Sequence, residues 1–204
     1  MSKAIFWHRR DLRIEDNAGL FKACQAATHV QPIFIFDTEI LSELDKKDAR
    51  VEFIHREIEQ LSREYATHNL HLRVEIGNPV ELIPSLAKEL KVDHVYTNRD
   101  YEPYALQRDK TLYDTLQTEG IGFSGAKDHV IFEKTEVMKG DGTPYTVFTP
   151  YARRWRELIT SNDVQPVSIQ EEEHRQWASQ TQTALSIALE EMGFQESLIP
   201  WPEL

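Results

Sequence analysis

Up to Ser124 the chain alternates short apolar runs with longer stretches of helical periodicity, and that alternation leaves few architectures open. Residues 4–7 (Ala-Ile-Phe-Trp) form an unbroken apolar run, the pattern of a strand buried on both faces. Residues 30–36 repeat it, with Pro32 near the strand's beginning, where a missing N–H is tolerated. Residues 70–76 alternate strictly between apolar and polar, which suits a half-buried strand at a sheet edge. Residues 93–97 and 121–124 supply a fourth and a fifth strand. Between them lie helical patterns over 17–27, 48–68, the stretch after Gly77-Asn78-Pro79, and 104–119. The second is the strongest, with Val51, Ile54, Ile58, Leu61 and Tyr65 on one continuous stripe. Asp16 and Asp48 are the expected caps of the first two helices. Four β-α units and a closing strand predict an α/β fold, a doubly wound, Rossmann-like parallel sheet. With the alternating third strand at an edge, the strand order is 3-2-1-4-5 and the switch point lies between strands one and four.

Ligands of such sheets bind beyond the carboxyl ends of the strands, so the loops there are the candidate site. The first strand empties into His8-Arg9-Arg10-Asp11-Leu12-Arg13, in which five of six residues are ionisable. A partly buried arginine needs a carboxylate partner, so the dense mixing of signs predicts an ion-paired wall. Asn98-Arg99-Asp100-Tyr101-Glu102-Pro103 follows the fourth strand and is expected to face that wall across the crevice. Asp37 ends the second strand and reads equally as a helix cap or as an acceptor for a ligand hydroxyl. Arg50 occupies a first helical turn, where the dipole disfavours a cation; this points to an anionic or polar partner, for which neighbouring Asp48 is already sufficient. Glu102 is held out of helical geometry by Pro103 and reads equally as a carboxylate pointing into the crevice or as a plain helix N-terminal glutamate.

Much chemistry is excluded. G-x-G-x-x-G after a strand, a phosphate-binding P-loop and a G-x-S-x-G elbow are all missing. His68 and His71 straddle a helix end and a strand start and read as surface residues. The single Cys24, on an apolar helix face, excludes an internal disulfide and reads as an inert core thiol. A net charge of −11 argues against duplex binding by this chain alone. With no secretory segment and no membrane-spanning apolar run, the chain reads as soluble and cytoplasmic, without a membrane partner, and as a monomer. After the fifth strand, residues 139–144 form a tight turn, and Thr149 and Pro150 are expected to open a helix as cap and first residue. From Asp163 onward apolar density falls. Glu171, Glu172 and Glu173 and the Pro200-Trp201-Pro202 segment read as solvated or connecting, and Trp177 and Trp201 suggest a packing partner for this tail.

Four segments in order carry a family resemblance. Phe6-Trp7-His8-Arg9-Arg10-Asp11-Leu12-Arg13-Ile14-Glu15-Asp16-Asn17 resembles the opening signature of the DNA photolyase and cryptochrome family. Pro32-Ile33-Phe34-Ile35-Phe36-Asp37 resembles its second strand, and Asn98 to Pro103 with Arg108-Asp109 its fourth-strand loop. Thr143-Pro144-Tyr145-Thr146-Val147-Phe148-Thr149-Pro150-Tyr151 with Trp155 resembles its G-x-P-Y-x-V-F-T-P-F-x-x-W segment. His8 departs from the pattern, which usually has phenylalanine there.

The resemblance implies an antenna domain over residues 1–160 and an extension over 161–204 leading toward a separate helical domain. That second domain would bind FAD and DNA and carry out light-driven repair of pyrimidine dimers. The parent would be a deoxyribodipyrimidine photo-lyase, and this chain alone would be inactive. Glu102 matches the glutamate that contacts a reduced folate antenna; Asp37, Arg50 and Asp100 fall where FMN or 8-hydroxy-5-deazaflavin antennas sit. Reduced folate is the first expectation, with its pocket between the domains, whereas a flavin pocket lies mostly within this one. The candidate cofactor-binding set is Trp7, Arg9, Arg10, Asp11, Phe36, Asp37, Arg50, Asp100 and Glu102, with no catalytic residue and no metal ligand. Arg9, Arg10 and Asp11 are expected to serve architecture first and ligand contact second. Two other readings stand beside it, the N-terminal half of a cryptochrome photoreceptor and a stand-alone nucleotide-binding module.

Overall fold

A computed structural model describes residues 2–68, 70–168, 187–197 and 199. The elements are β1 (Lys3–His8), α1 (Ala18–Ala26), β2 (His29–Asp37), α2 (Thr38–Leu41), α3 (Ala49–Thr67), β3 (Arg73–Gly77), α4 (Pro79–Leu90), β4 (His94–Asn98), α5 (Pro103–Thr118), β5 (Gly122–Ala126) and α6 (Phe148–Leu158). All strands pair in parallel in the order β3-β2-β1-β4-β5, the predicted topology. β1 is central and buried from Ala4 to His8, whereas edge strand β3 keeps Arg73 and Glu75 half-buried.

Because side chains alternate along a strand, β1 feeds two cores. Ala4 and Phe6 pack against Leu20 and Ala23 of α1 and Ile58, Leu61 and Tyr65 of α3. Ile5 and Trp7 pack on the opposite face against Ile83 and Leu86 of α4 and Leu112 and Leu116 of α5. Pro32 sits inside β2 without breaking the sheet. It pairs with Phe6 on one side, and pairing with β3 begins only at Ile33, so at Pro32 the strand is locally an edge. Asp48 caps α3 as expected, accepting from the Arg50 N–H at 2.9 Å.

Two helix starts differ from expectation. Asn17, not Asp16, caps α1, its side-chain oxygen accepting from the Leu20 N–H at 3.1 Å. Asp16 instead takes a left-handed φ of 47° and accepts from the Val167 N–H. The amide wins because its nitrogen is also anchored, donating to Asp11 and to the Arg13 carbonyl. α6 starts at Phe148 with Val147 as cap, which places Pro150 third in the helix. The N–H groups of the first turn lack an intrahelical acceptor, so proline is tolerated at that position too.

The chain after α6 returns to the domain. Leu189 and Phe194 are buried against Val51, beside Leu41 and Leu44. The Ser197 N–H donates to Glu52 and the Gln195 N–H to the Lys46 carbonyl. The tail residues 171–173, Trp177 and the Pro200-Trp201-Pro202 segment lie outside the described residues. Among the described residues no helix is long and apolar enough to cross a membrane.

Candidate functional site

His8, Asp37 and Asn98 end β1, β2 and β4, so three polar side chains meet at the carboxyl edge of the sheet. Asp11 ties the first loop down there. Its carboxylate accepts from the Arg9 N–H at 2.9 Å, from Asn17 Nδ2 at 3.0 Å and from Asn98 Nδ2 at 2.7 Å. It is 1% exposed. The close approach of α1 to this cluster needs Gly19, where a Cβ would lie 2.5 Å from Asn98 Oδ1 and 2.8 Å from the Phe6 ring.

The two loops do not stand apart across a crevice. Arg10 bonds Asp100 at 3.1 Å and Glu102 at 2.6 Å. Arg9 grips Asp109 through one nitrogen at 2.7 and 2.9 Å, and its other terminal nitrogen donates to the Asn98 carbonyl. These pairs close the switch point and turn both loops into a single wall. The open space lies beside it, over the ends of β1 and β2. Burial alone would raise the Asp100 pKa, but Arg10, the Tyr101 N–H and Arg9 outweigh it and hold the carboxyl below its usual range.

That space is a cavity of about 340 Å³, within the size range of small-molecule sites. Its apolar side is built from Trp7, Phe34, Phe36, Ile40, Leu44 and Ile54. Its polar side comes from Arg9, Arg10, Asp37, Asp100, Glu102 and Arg108, with Arg50 and Tyr104 at the same cavity. Eight of the nine sequence-predicted residues therefore line one space. The ninth, Asp11, lies beneath it and holds its wall together. Arg50 pairs with Asp48 at 2.6 Å and projects into solvent. Asp37 combines both of its readings: it caps α2 through the Glu39 N–H at 3.1 Å, and it accepts from the Tyr104 hydroxyl at 2.7 Å and from Arg108 at 3.4 Å. Burial, together with that bond to Asp37, pushes the Tyr104 phenol well above its ordinary value.

Sequence reasoning missed Tyr104 and Arg108 as lining residues. Arg108 carried a usable signal. It falls on the buried stripe of α5 with Ala105, Leu112 and Leu116, and a cation on an apolar stripe requires a buried carboxylate. Its guanidinium stands 4.7 Å from the centre of the Trp7 ring, and that of Arg9 stands 5.1 Å from it.

His8 also lines the cavity and is fully buried. Its Nδ1 lies 2.9 Å from the Asp11 carbonyl, which can only accept, so the proton sits on Nδ1. Nε2 then accepts from the Tyr65 hydroxyl at 2.6 Å. Burial pulls the imidazole pKa below its ordinary 6.5, against the opposing pull of Asp11. The unfolded chain therefore takes up this proton first. Stability contributed by neutral His8 is complete above about pH 6.5 and declines as pH falls from there through the folded-state value. Urea melts between pH 7.5 and 5 are expected to show this acid-side decline in the wild type and its reduction in His8→Phe; equal slopes in the two proteins would remove His8 from the account.

The DNA photolyase family model matches residues 4–174. A deoxyribodipyrimidine photo-lyase of Synechococcus is 35% identical over 152 residues, which cover 74% of this chain and 31% of that protein. The chain thus spans about a third of that relative's length. Among solved structures, a class III photolyase from Agrobacterium tumefaciens superposes with a TM-score of 0.74 at 23% identity, covering 96% of this chain and 36% of that one. An archaeal photolyase from Sulfolobus tokodaii, described with two FAD molecules and a novel light-harvesting cofactor, reaches 0.62 at 30% identity, covering 67% and 32%.

Proposed function

The chain belongs to the DNA photolyase family, and from that premise we propose that the cavity over β1 and β2 holds a light-harvesting antenna chromophore of the flavin class. The observation that carries this reading is that the whole cavity is built from residues 7–108 of one α/β unit. An antenna needs a chromophore held rigidly, not an acid, base or nucleophile. A cavity with an apolar side and convergent polar anchors meets that need.

The residues present fit such a group. Trp7, Phe34 and Phe36 offer apolar surface to a fused heteroaromatic ring. Arg10 and Arg50 are cations at the rim for a phosphate, and Asp37 is an acceptor for hydroxyls of the side chain. When bound, the chromophore would supply light absorption and excitation transfer; the protein's part is to fix its position and keep water out. The description of the Sulfolobus tokodaii relative supports a flavin in this role. Residues 1–160 form the antenna unit in this reading, and residues 161–204 the connection toward a helical FAD domain. Light-driven repair of pyrimidine dimers and contact with DNA belong, in this reading, to a protein that carries both.

Titration with FMN and with 8-hydroxy-5-deazaflavin tests this directly. One of them is expected to bind stoichiometrically with a shifted absorption band. Asp37→Asn and Arg108→Met are expected to weaken binding roughly tenfold each, about 1.4 kcal/mol. Saturation by a reduced folate with no response to either flavin would replace the flavin by folate. No response to any of the three would sink the antenna reading.

A further inference from the structure

The cavity and the returning chain share a wall. We propose that residues 187–197 are a strap whose docking on α3 holds that wall in place, so that occupation of the cavity and docking of the strap stabilise each other. The proposal rests on the reading above only for which ligand fills the cavity; the strap and the wall are defined by protein atoms alone.

Three observations carry it. First, Leu41, Leu44 and Val51 line the cavity, and the same side chains meet the strap. Leu189 and Phe194 are buried with Val51, and Leu41 and Leu44 pack against that cluster. The wall there is one layer of side chains deep. Leu41 ends α2, a helix of only four residues, and Leu44 lies in the loop beyond it. A single turn is too short to hold its shape by its own hydrogen bonds, so its position depends on what packs against it. Second, a parallel route runs through aromatic contacts. Phe36 lines the cavity, the His55 ring stands 6.4 Å from it, and His55 Nε2 donates to the Ile187 carbonyl. Third, the strap docks on specific polar groups as well as apolar ones. The Gln195 N–H donates to the Lys46 carbonyl, in the loop between α2 and α3, at 2.8 Å. The Ser197 N–H donates at 2.7 Å to the carboxylate of Glu52, which is 2% exposed.

Undocking would expose Leu189, Phe194 and Val51 to water and leave Leu41 and Leu44 without their outer packing. A ligand resting on these side chains keeps its contacts only while the wall stays where the strap holds it. The ligand therefore favours the docked strap, and by linkage the docked strap favours the ligand by the same factor. Neither Leu189 nor Phe194 lines the cavity, so any effect of theirs on binding passes through the wall. On the antenna reading the strap lies in the connection toward a helical domain, and loading the cavity then fixes how that connection leaves the α/β unit.

Hydrogen exchange read by mass spectrometry on the whole chain tests the link, first without ligand. Phe194→Ala is expected to speed exchange about tenfold in residues 38–51 as well as in 187–197, with α4 and β4 unchanged. Leu189→Ala, a milder truncation, is expected to act in the same direction and serves if Phe194→Ala fails to fold. Exchange in 38–51 that stays at the wild-type rate in both variants overturns the proposal. FMN then tests reciprocity. Saturating FMN is expected to slow exchange in 187–197 about tenfold, and Phe194→Ala to weaken FMN binding by a similar factor. FMN binding that leaves 187–197 unchanged, or that is indifferent to both substitutions, overturns the proposal. Should FMN fail to bind the wild type, the flavin reading falls separately, and the ligand-free exchange decides the strap.

Discussion

Asp11→Ala is expected to lower folding stability by about 3–5 kcal/mol, the range found when one partner of a buried charged network is removed. The carboxylate is the common acceptor for a backbone N–H and two side-chain amides. Its loss strands a donor on each of Arg9, Asn17 and Asn98 away from water, and each stranded donor costs on the order of 1–3 kcal/mol. The loss is also topological. Asp11 joins the β1 loop to the end of β4 and to the cap of α1, so its removal loosens three elements at once. Urea denaturation read by circular dichroism checks this, with a lower midpoint and an unchanged slope as the expected signature. Arg10→Ala is the internal control. It lies on the same loop, but its side chain is 54% exposed and one of its two partners, Glu102, is 63% exposed, so a change within about 1 kcal/mol is expected. Equal effects at the two positions would mean that the loop is not held from below.

Trp7→Ala is the second large effect, again about 3–5 kcal/mol. The indole is 2% exposed and joins the core beneath α4 and α5 to the cavity. Truncation removes that packing and the ring that Arg9 and Arg108 face, and it opens the cavity floor. Stability and ligand affinity should therefore fall together, whereas Trp7→Phe keeps most of the apolar contact and should cost less in both. Chemical denaturation combined with FMN titration of the two variants separates a packing role from a lining role. A destabilised Trp7→Ala protein that binds FMN at wild-type affinity would confine Trp7 to the core.

The sheet was legible because its signals are local. The unbroken run 4–7 and the strict alternation of 70–76 state how many faces each strand buries, and that sets one strand in the centre and the other at an edge. The α3 stripe and its Asp48 cap are legible for the same reason, since both depend on residues within a few turns. The cap of α1 was less so. Asp16 and Asn17 are chemically near-equivalent as caps, and the choice was settled by Asp11 and the Arg13 carbonyl anchoring the Asn17 amide.

The candidate site divides along the same line. By itself the sequence determined which residues reach the carboxyl edge of the sheet, because strand ends follow from the apolar pattern. It also determined that arginines and carboxylates would pair there, because buried cations demand it. Only the tertiary structure decided who pairs with whom. Arg9 meets Asp109 and Arg10 meets Asp100 and Glu102, while Asp37 meets Tyr104 and Arg108, so the charged loops close the switch point and leave the cavity over β1 and β2. It likewise decided that Tyr65, a stripe residue in the sequence, would set its hydroxyl against His8. The physical reason is range. Hydrophobic periodicity is written between neighbours three or four residues apart, whereas a hydrogen bond acts over about 3 Å between side chains that only the finished fold brings together.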